Sequence, residues 1–195
     1  MKNLNIGFAM CGSFCTFHKA LASLEQLSAL GANLIPIMSY NAYSTDTRFG
    51  IAKEINEKVE IICQKKIIHT IEDAEPIGPK KLCDAMVIAP CTGNTLGKLA
   101  LGIVDTPVTM AAKSHLRNGR PLILAVSTND ALGGCAKNIG HLLNYKNVYF
   151  VPMFQDDYQN KPLSIVADFN KIPPAIEAAM EGKQLQPIHL DPQMK

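Results

Sequence analysis

Three short runs of residues could hold an anion, and each stands where an apolar stretch gives way to a helical pattern. They are Cys11-Gly12-Ser13-Phe14, Pro90-Cys91-Thr92-Gly93-Asn94-Thr95 and Ser127-Thr128-Asn129-Asp130. Small hydroxyl, amide and Gly residues at such a junction offer backbone N–H groups and side-chain donors, and the field at a helix N-terminus favours negative charge. Any one of these runs is also what an ordinary helix cap prefers. Three of them at one end of a sheet, each with more donors than a cap uses, point to a phosphate-bearing ligand. Gly7 and Gly12 have the four-residue gap of a P-loop, but Ser13 and Phe14 follow where Lys and Ser or Thr should. A dinucleotide site wants G-x-G-x-x-G after the first strand and an acidic residue at the end of the second. Here the second strand ends in Ser39-Tyr40-Asn41. A hydroxyl at that place suits a phosphate better than a ribose diol, so a mononucleotide such as FMN is more natural than NAD.

Other reactive residues read as background. Cys91 lies near a helix N-terminus, which lowers a thiol pKa, but no His is adjacent to serve as base. It reads as a packing or ligand-contacting thiol. His18 reads as a surface or core residue of the first helix, and His69, His115, His141 and His189 show no metal spacing. The six cysteines include no C-x-x-C pair and no His partner at zinc spacing, so no metal site is expected and the thiols are expected to be reduced.

The elements that must position the three loops follow from an alternation of Ile/Val-rich runs with segments of helical period. Strands are expected at Leu4 to Met10, Leu34 to Met38, Asp84 to Ala89, Pro121 to Val126 and Val148 to Val151, with a short one at Lys66 to Ile68. Helices are expected from about Thr16 to Leu30 with Gly31 as its stop, from Thr47 to Cys63, from Asn94 through Leu101, from Thr106 to Asn118, and to about Asn144. Ser39 to Asp46 reads as a loop. The pattern predicts an α/β fold: a single Rossmann-like domain with a parallel sheet of about six strands and helices on both faces. In such a sheet the ligand sits outside the carboxyl ends of the strands. The domain is expected over 1–155, followed by a polar, Pro-rich extension over 156–195 with a short helix near Pro174 to Glu181, packed onto the domain or a partner.

Composition sets outer bounds. With 195 residues, 47% hydrophobic and 18% charged, the chain can fill one core and is not disordered. A net charge of +2 without a dense basic run gives no footprint for nucleic acid. No apolar run approaches the roughly 20 residues of a membrane helix. The start MKNLNIGFAM reads as a first strand rather than a signal peptide, so a cytoplasmic protein is expected.

The segments GSFCTFHKALASLEQLSALGANLIPIMS and APCTGNTLGKLALGIVDTPVTMAAKSHLRNGRPLILAVSTND resemble the homo-oligomeric flavin-containing family that includes phosphopantothenoylcysteine decarboxylase and flavin prenyltransferase. The resemblance covers about residues 4–155. It implies an FMN pocket at the strand ends, completed by a neighbouring protomer of a trimer-based homo-oligomer. Carried over by residue, it puts Gly12 and Ser13 at the phosphate, with Ser39 donating to it. Cys91, Thr92, Asn94 and Thr95 would cradle the flavin and ribityl chain. Ser127 and Thr128 would line the pocket, and Asn129 would meet a substrate carboxylate.

The departures are informative. The decarboxylases carry a histidine after the second strand, whereas Ser44-Thr45-Asp46-Thr47-Arg48-Phe49 has none, and Thr128-Asn129-Asp130 lacks the Arg and Glu pattern of the prenyltransferases. The nearer resemblance implies an oxidoreductase component that helps oxidise a cyclic dicarboxylate to pyridine-2,6-dicarboxylate, a spore component. Its partner would be a companion dehydrogenase chain carrying NAD(P). A dicarboxylate substrate needs a fixed cation, and Arg48, read as opening the helix after the second strand, is the first candidate. Lys98, Lys113, Arg117 and Arg120 fall away from the mouth. Two alternatives stand beside this: a non-catalytic binding or stabilising component of the same complex, and another FMN-dependent decarboxylase or prenyltransferase.

Overall fold

The computed structural model describes residues 1–191. Strands β1 (Asn5–Met10), β2 (Asn33–Met38), β3 (Ala85–Cys91) and β4 (Leu122–Thr128) pair in parallel in the order β2-β1-β3-β4. β5 (Val148–Phe150) adds in parallel along the first half of β4. Beyond it, β7 (Ile165–Ala167) pairs antiparallel with the last residues of β4, and β6 (Met153–Phe154) pairs antiparallel with β7, completing a seven-stranded sheet. The α/β expectation holds, with an antiparallel pair added that the sequence pattern did not predict.

Side-chain alternation along each strand builds two cores. Ile6, Phe8 and Met10 of β1 and Ala85, Val87 and Ala89 of β3 face one side. There they meet α1 (Phe17–Ala29), α3 (Ala52–Cys63) and α8 (Ile172–Met180). Ala9, Met86, Ile88, Leu122 and Leu124 face the other side. That side is covered by α4 (Ile71–Ala74), α5 (Gly93–Leu101), α6 (Pro107–Leu116) and α7 (Ala136–Leu143). Burial on both faces is why the central strands read as continuous apolar runs. Gly31, at φ +82°, closes α1 as expected, because its left-handed backbone lets its N–H reach Ser28 O. From the segment expected as an extension, Val166, Ala167, Ile172 and Ile176 are buried in the same cluster as β1 and β3.

Three local differences have physical causes. The run Ser39 to Asp46 contains a short helix, α2 (Tyr40–Ser44), because Ser39 Oγ accepts from Ala42 N at 3.3 Å and caps it. The next helix starts at Ala52 rather than Thr47: Thr47 and Gly50 exchange backbone hydrogen bonds across a tight turn, and Asp46 Oδ1 accepts from Ala52 N at 2.8 Å. Arg48 is therefore an exposed residue of that turn and does not open a helix. The expected strand at Lys66 to Ile68 is a single parallel bridge, Ile37 to Ile68. Among the described residues no helix is long and apolar enough to cross a membrane.

Candidate functional site

The sheet order puts β1 between β2 and β3, so the direction of strand addition reverses around the β1/β3 pair and the loops after these strands part there. This is the topological switch point of a 2-1-3-4-5 sheet, the place where such sheets open a crevice beyond the carboxyl ends. The structure brings the three expected loops to it. Ser13 Oγ and Ser127 Oγ are 2.8 Å apart, joining the loop after β1 to the end of β4. Thr16 Oγ1 donates to Ser13 O at 2.8 Å and lies 3.4 Å from Ser127 Oγ. Thr95 Oγ1 donates to Cys11 Sγ at 3.2 Å, joining the β1 and β3 loops. Ser39 N donates to Met10 O at 3.0 Å, which brings the end of β2 beside the end of β1. A Cβ placed on Gly12 would come within 3.7 Å of Asn41 Cβ, so that side of the crevice is closed by α2.

The loop after β3 is the most tightly built. Ile88 pairs with Leu124 but Cys91 with Val126, so β3 bulges by one residue before it ends. Thr92 caps α5 by accepting from Thr95 N at 3.3 Å. The N–H groups of Gly93 and Asn94 find no acceptor among the described residues and remain available at the helix N-terminus. Gly93 is there for space: an ideal Cβ would sit 2.6 Å from Cys135 Sγ and 2.9 Å from Thr128 Oγ1. Asn94 and Asn129 are exposed, Gly12, Ser13, Ser39, Thr92 and Thr128 half-buried, and Thr95 and Ser127 buried.

Buried thiols lie beneath these loops. Cys91 is fully buried, so its side chain contributes packing. Burial pushes the Cys11 thiol up to about 11, against the weaker opposing effect of the Thr95 hydroxyl, and burial also raises Cys91 well above the ordinary thiol range. Cys135 is raised by burial and then by its hydrogen bond to the Asp130 carboxylate. Thiols held protonated in this way are poor nucleophiles. Among the described residues no cluster of His, Cys, Asp and Glu could hold a metal.

Two expected ligand residues stand differently. Asn129 lies beside buried Ser164, whose Oγ is 3.4 Å from Asn129 Oδ1. Arg48 lies on the exposed turn with its guanidinium 4.8 Å above the Phe49 ring. His18 lines a cavity of about 690 Å³ between α1, the segment 167–171 and the chain near 187–191, and no residue of the three strand-end loops lines it. Arg120 pairs with Asp84 at the opposite end of the sheet. Thr16, Gly93 and Ser164 were not assigned from sequence. A hydroxyl three residues after Ser13 was a visible signal for Thr16, whereas Ser164 depends on strand register that no local pattern encodes.

The crevice at a switch point, lined by hydroxyls, amides and free helix N–H groups, is that of a doubly wound α/β protein. The chain belongs to the Flavoprotein family, whose sequence model matches residues 1–171. It is 45% identical over 188 residues to the B subunit of dipicolinate synthase from Bacillus subtilis (strain 168), covering 96% of this chain and 94% of that protein. It is similar to the crystal structure of the dipicolinate synthase B subunit from Bacillus halodurans C, with a TM-score of 0.90, 44% identity and 97% of each chain covered. It also shares its fold with a dodecameric FMN-dependent UbiX-like decarboxylase from Escherichia coli O157:H7, at a TM-score of 0.64 and 23% identity over 76% of this chain and 80% of that one.

Proposed function

We propose that this chain is the flavin-binding component of a dipicolinate-forming oxidoreductase. It would hold FMN at the β1/β3 switch point and act with the synthase's other component, a dehydrogenase that carries NAD(P). Identity of 45% over nearly the whole chain to a protein named as the B subunit of dipicolinate synthase is the observation that carries the reading. The donor set agrees with it. A phosphate has only acceptors to offer, and the loops here present O–H and N–H donors. Gly12 and Ser13 line the phosphate end, and Ser39, whose oxygen is used as a cap, still has its hydroxyl hydrogen to donate. Thr92 and Asn94, with the free N–H groups of α5, line the ribityl and ring side; Cys91 and Thr95 support that loop from beneath, and Ser127 and Thr128 close the far wall. When bound, FMN supplies a two-electron acceptor beside a substrate that must lose two hydrogens to become aromatic. Arg48 and Asn129 are the candidates for the substrate carboxylates. A trimer-based homo-oligomer is the assembly proposed, in keeping with the dodecameric relative.

One observation favours a division of labour with the dehydrogenase component. The strand-end side chains are hydroxyls, amides and thiols held protonated by burial, and Asp130, the acid among them, is engaged by Gly134 N at 3.0 Å. Such a surface binds and orients, and leaves acid–base work to the partner. The test is an absorbance titration of the purified protein with FMN, followed by dialysis and release of the cofactor by denaturation. Flavin bands near one FMN per chain are expected. Asn94→Asp, which adds a negative charge beside the free N–H groups, should lower FMN affinity by at least roughly tenfold. Wild-type affinity in that variant removes the α5 loop from the site, and a protein that refuses FMN moves the non-catalytic binding reading ahead.

A further inference from the structure

The antiparallel pairing at the end of β4 sets up a polar row beside the candidate site. Thr128 pairs with Ile165 and Ser127 with Val166, so the register carries Asn129 opposite Ser164. Phe154 pairs with Val166 and Met153 with Ala167, so the same register carries Asp156 opposite Ser164. Asn129, Ser164 and Asp156 thus share one row, two residues beyond Ser127, Val166 and Phe154 and on the same face of the sheet. The contacts agree: Ser164 Oγ is 2.7 Å from Asp156 Oδ1 and 3.4 Å from the Asn129 amide, and Ser164 is fully buried. Asp156 is steadied by Lys161 Nζ at 4.0 Å.

A serine hydroxyl has one hydrogen. The carboxylate at 2.7 Å is the stronger acceptor and takes it, as a short charge-assisted bond. The oxygen of Ser164 is then left as an acceptor toward Asn129, and only the amide nitrogen can fill it. The two ends of an amide have nearly the same shape, so the hydrogen-bond network decides which of them faces Ser164. We propose that Asp156 and Ser164 are positioning residues that fix the polarity of Asn129: Nδ2 donates to Ser164 Oγ, and Ser164 donates to Asp156. One Asn129 edge then faces the crevice with Oδ1 and the second amide hydrogen side by side. The second amide hydrogen can donate to a carboxylate, which offers only acceptors, and Oδ1 remains for an N–H or O–H group where the ligand carries one. The ligand class rests on the proposed function, whereas the amide polarity does not.

The test therefore has an arm that needs no ligand. In 15N-asparagine-labelled protein, the side-chain NH2 signal of Asn129 is identified by its loss in Asn129→Ala. In Ser164→Ala one of its two hydrogens should move upfield and exchange faster with solvent, and in Asp156→Ala, which alters only a partly exposed side chain, the same hydrogen should move. An Asn129 signal indifferent to both variants overturns the proposal. The second arm is a double-mutant cycle read by the dissociation constant of pyridine-2,6-dicarboxylate. Ser164→Ala and Asn129→Ala should each weaken binding about fivefold, and the double variant no more than either, because Ser164 acts through Asn129. Additive losses overturn it. A wild-type protein that binds neither FMN nor the dicarboxylate sinks the functional reading and leaves the first arm to decide the polarity.

Discussion

The two ends of the central strands use polar groups in opposite ways. At the amino ends the charged groups consume one another. Asp84 accepts from Asn5 N at 2.9 Å and from Asn5 Nδ2 at 3.2 Å, and Arg120 pairs with it at 3.4 Å. Arg120 also donates to Cys83 O and to Lys81 O, while the buried, uncharged part of this end is less complete: the His115 imidazole bonds Pro121 O at 3.0 Å through Nε2 and its Nδ1 has no hydrogen-bond partner among the described residues. At the carboxyl ends the groups hold the loops in place and still have capacity left. Ser13 and Ser127 bond each other, Thr92 caps α5, and the N–H groups of Gly93 and Asn94 are unspent. A charged cluster that satisfies itself holds structure, and a neutral cluster with unused donors is where a ligand has something to bind. The self-paired charges at the amino ends are thus the wrong place to look for ligand binding.

Substitutions at the two ends should separate these roles, and the largest effect is expected at Gly93. In Gly93→Ala the new methyl meets Cys135 Sγ and Thr128 Oγ1 well inside contact distance, so these buried and half-buried side chains, or the loops that carry them, must shift. A stability loss of roughly 1–3 kcal/mol is expected, together with loss of most FMN binding. Gly140→Ala, whose methyl would meet nothing within 4 Å on the exposed side of α7, is the matched control and should keep both the fold and FMN binding. If both glycine variants behave alike, steric closeness at Gly93 does not shape the crevice. At the other end, Asp84→Ala removes the acceptor of Asn5 and Arg120. It should cost roughly 1–3 kcal/mol in denaturant unfolding while FMN affinity in the folded protein stays at the wild-type value. A fall in FMN affinity there would mean that the two ends are coupled.

The fold and the site were legible in the sequence to different degrees, for physical reasons. Central strands such as Ala85–Cys91 announce themselves because both faces are buried and every residue is apolar. The three loops were legible because hydroxyl, amide and Gly residues gather where strands end. The antiparallel pair β6 and β7 was not: strands of two and three residues carry too little pattern to stand out. With that pair the row from Asn129 to Asp156 stayed hidden as well. Arg48 was misplaced because the helical period of α3 extends backward through its turn. The capping by Asp46 that delays the helix is a side-chain event, and apolar spacing is blind to it.

Arg48 also supplies the smallest of these effects and the finest test of the comparison. It belongs to the carboxyl-end side of the molecule but lies on the exposed turn after an edge strand, where its guanidinium stacks on Phe49 instead of pairing with a carboxylate. An exposed cation of this kind adds little to stability, so Arg48→Ala should unfold within about 0.5 kcal/mol of wild type. If the guanidinium closes over a bound dicarboxylate, the variant should bind pyridine-2,6-dicarboxylate about threefold more weakly, the worth of an exposed ion pair, and that difference should shrink as salt is raised. A folded variant with unchanged affinity at low salt takes Arg48 out of the site. Carboxylate recognition would then fall to the neutral donors of the crevice, Asn129 first among them, which is the rule the strand ends already suggest.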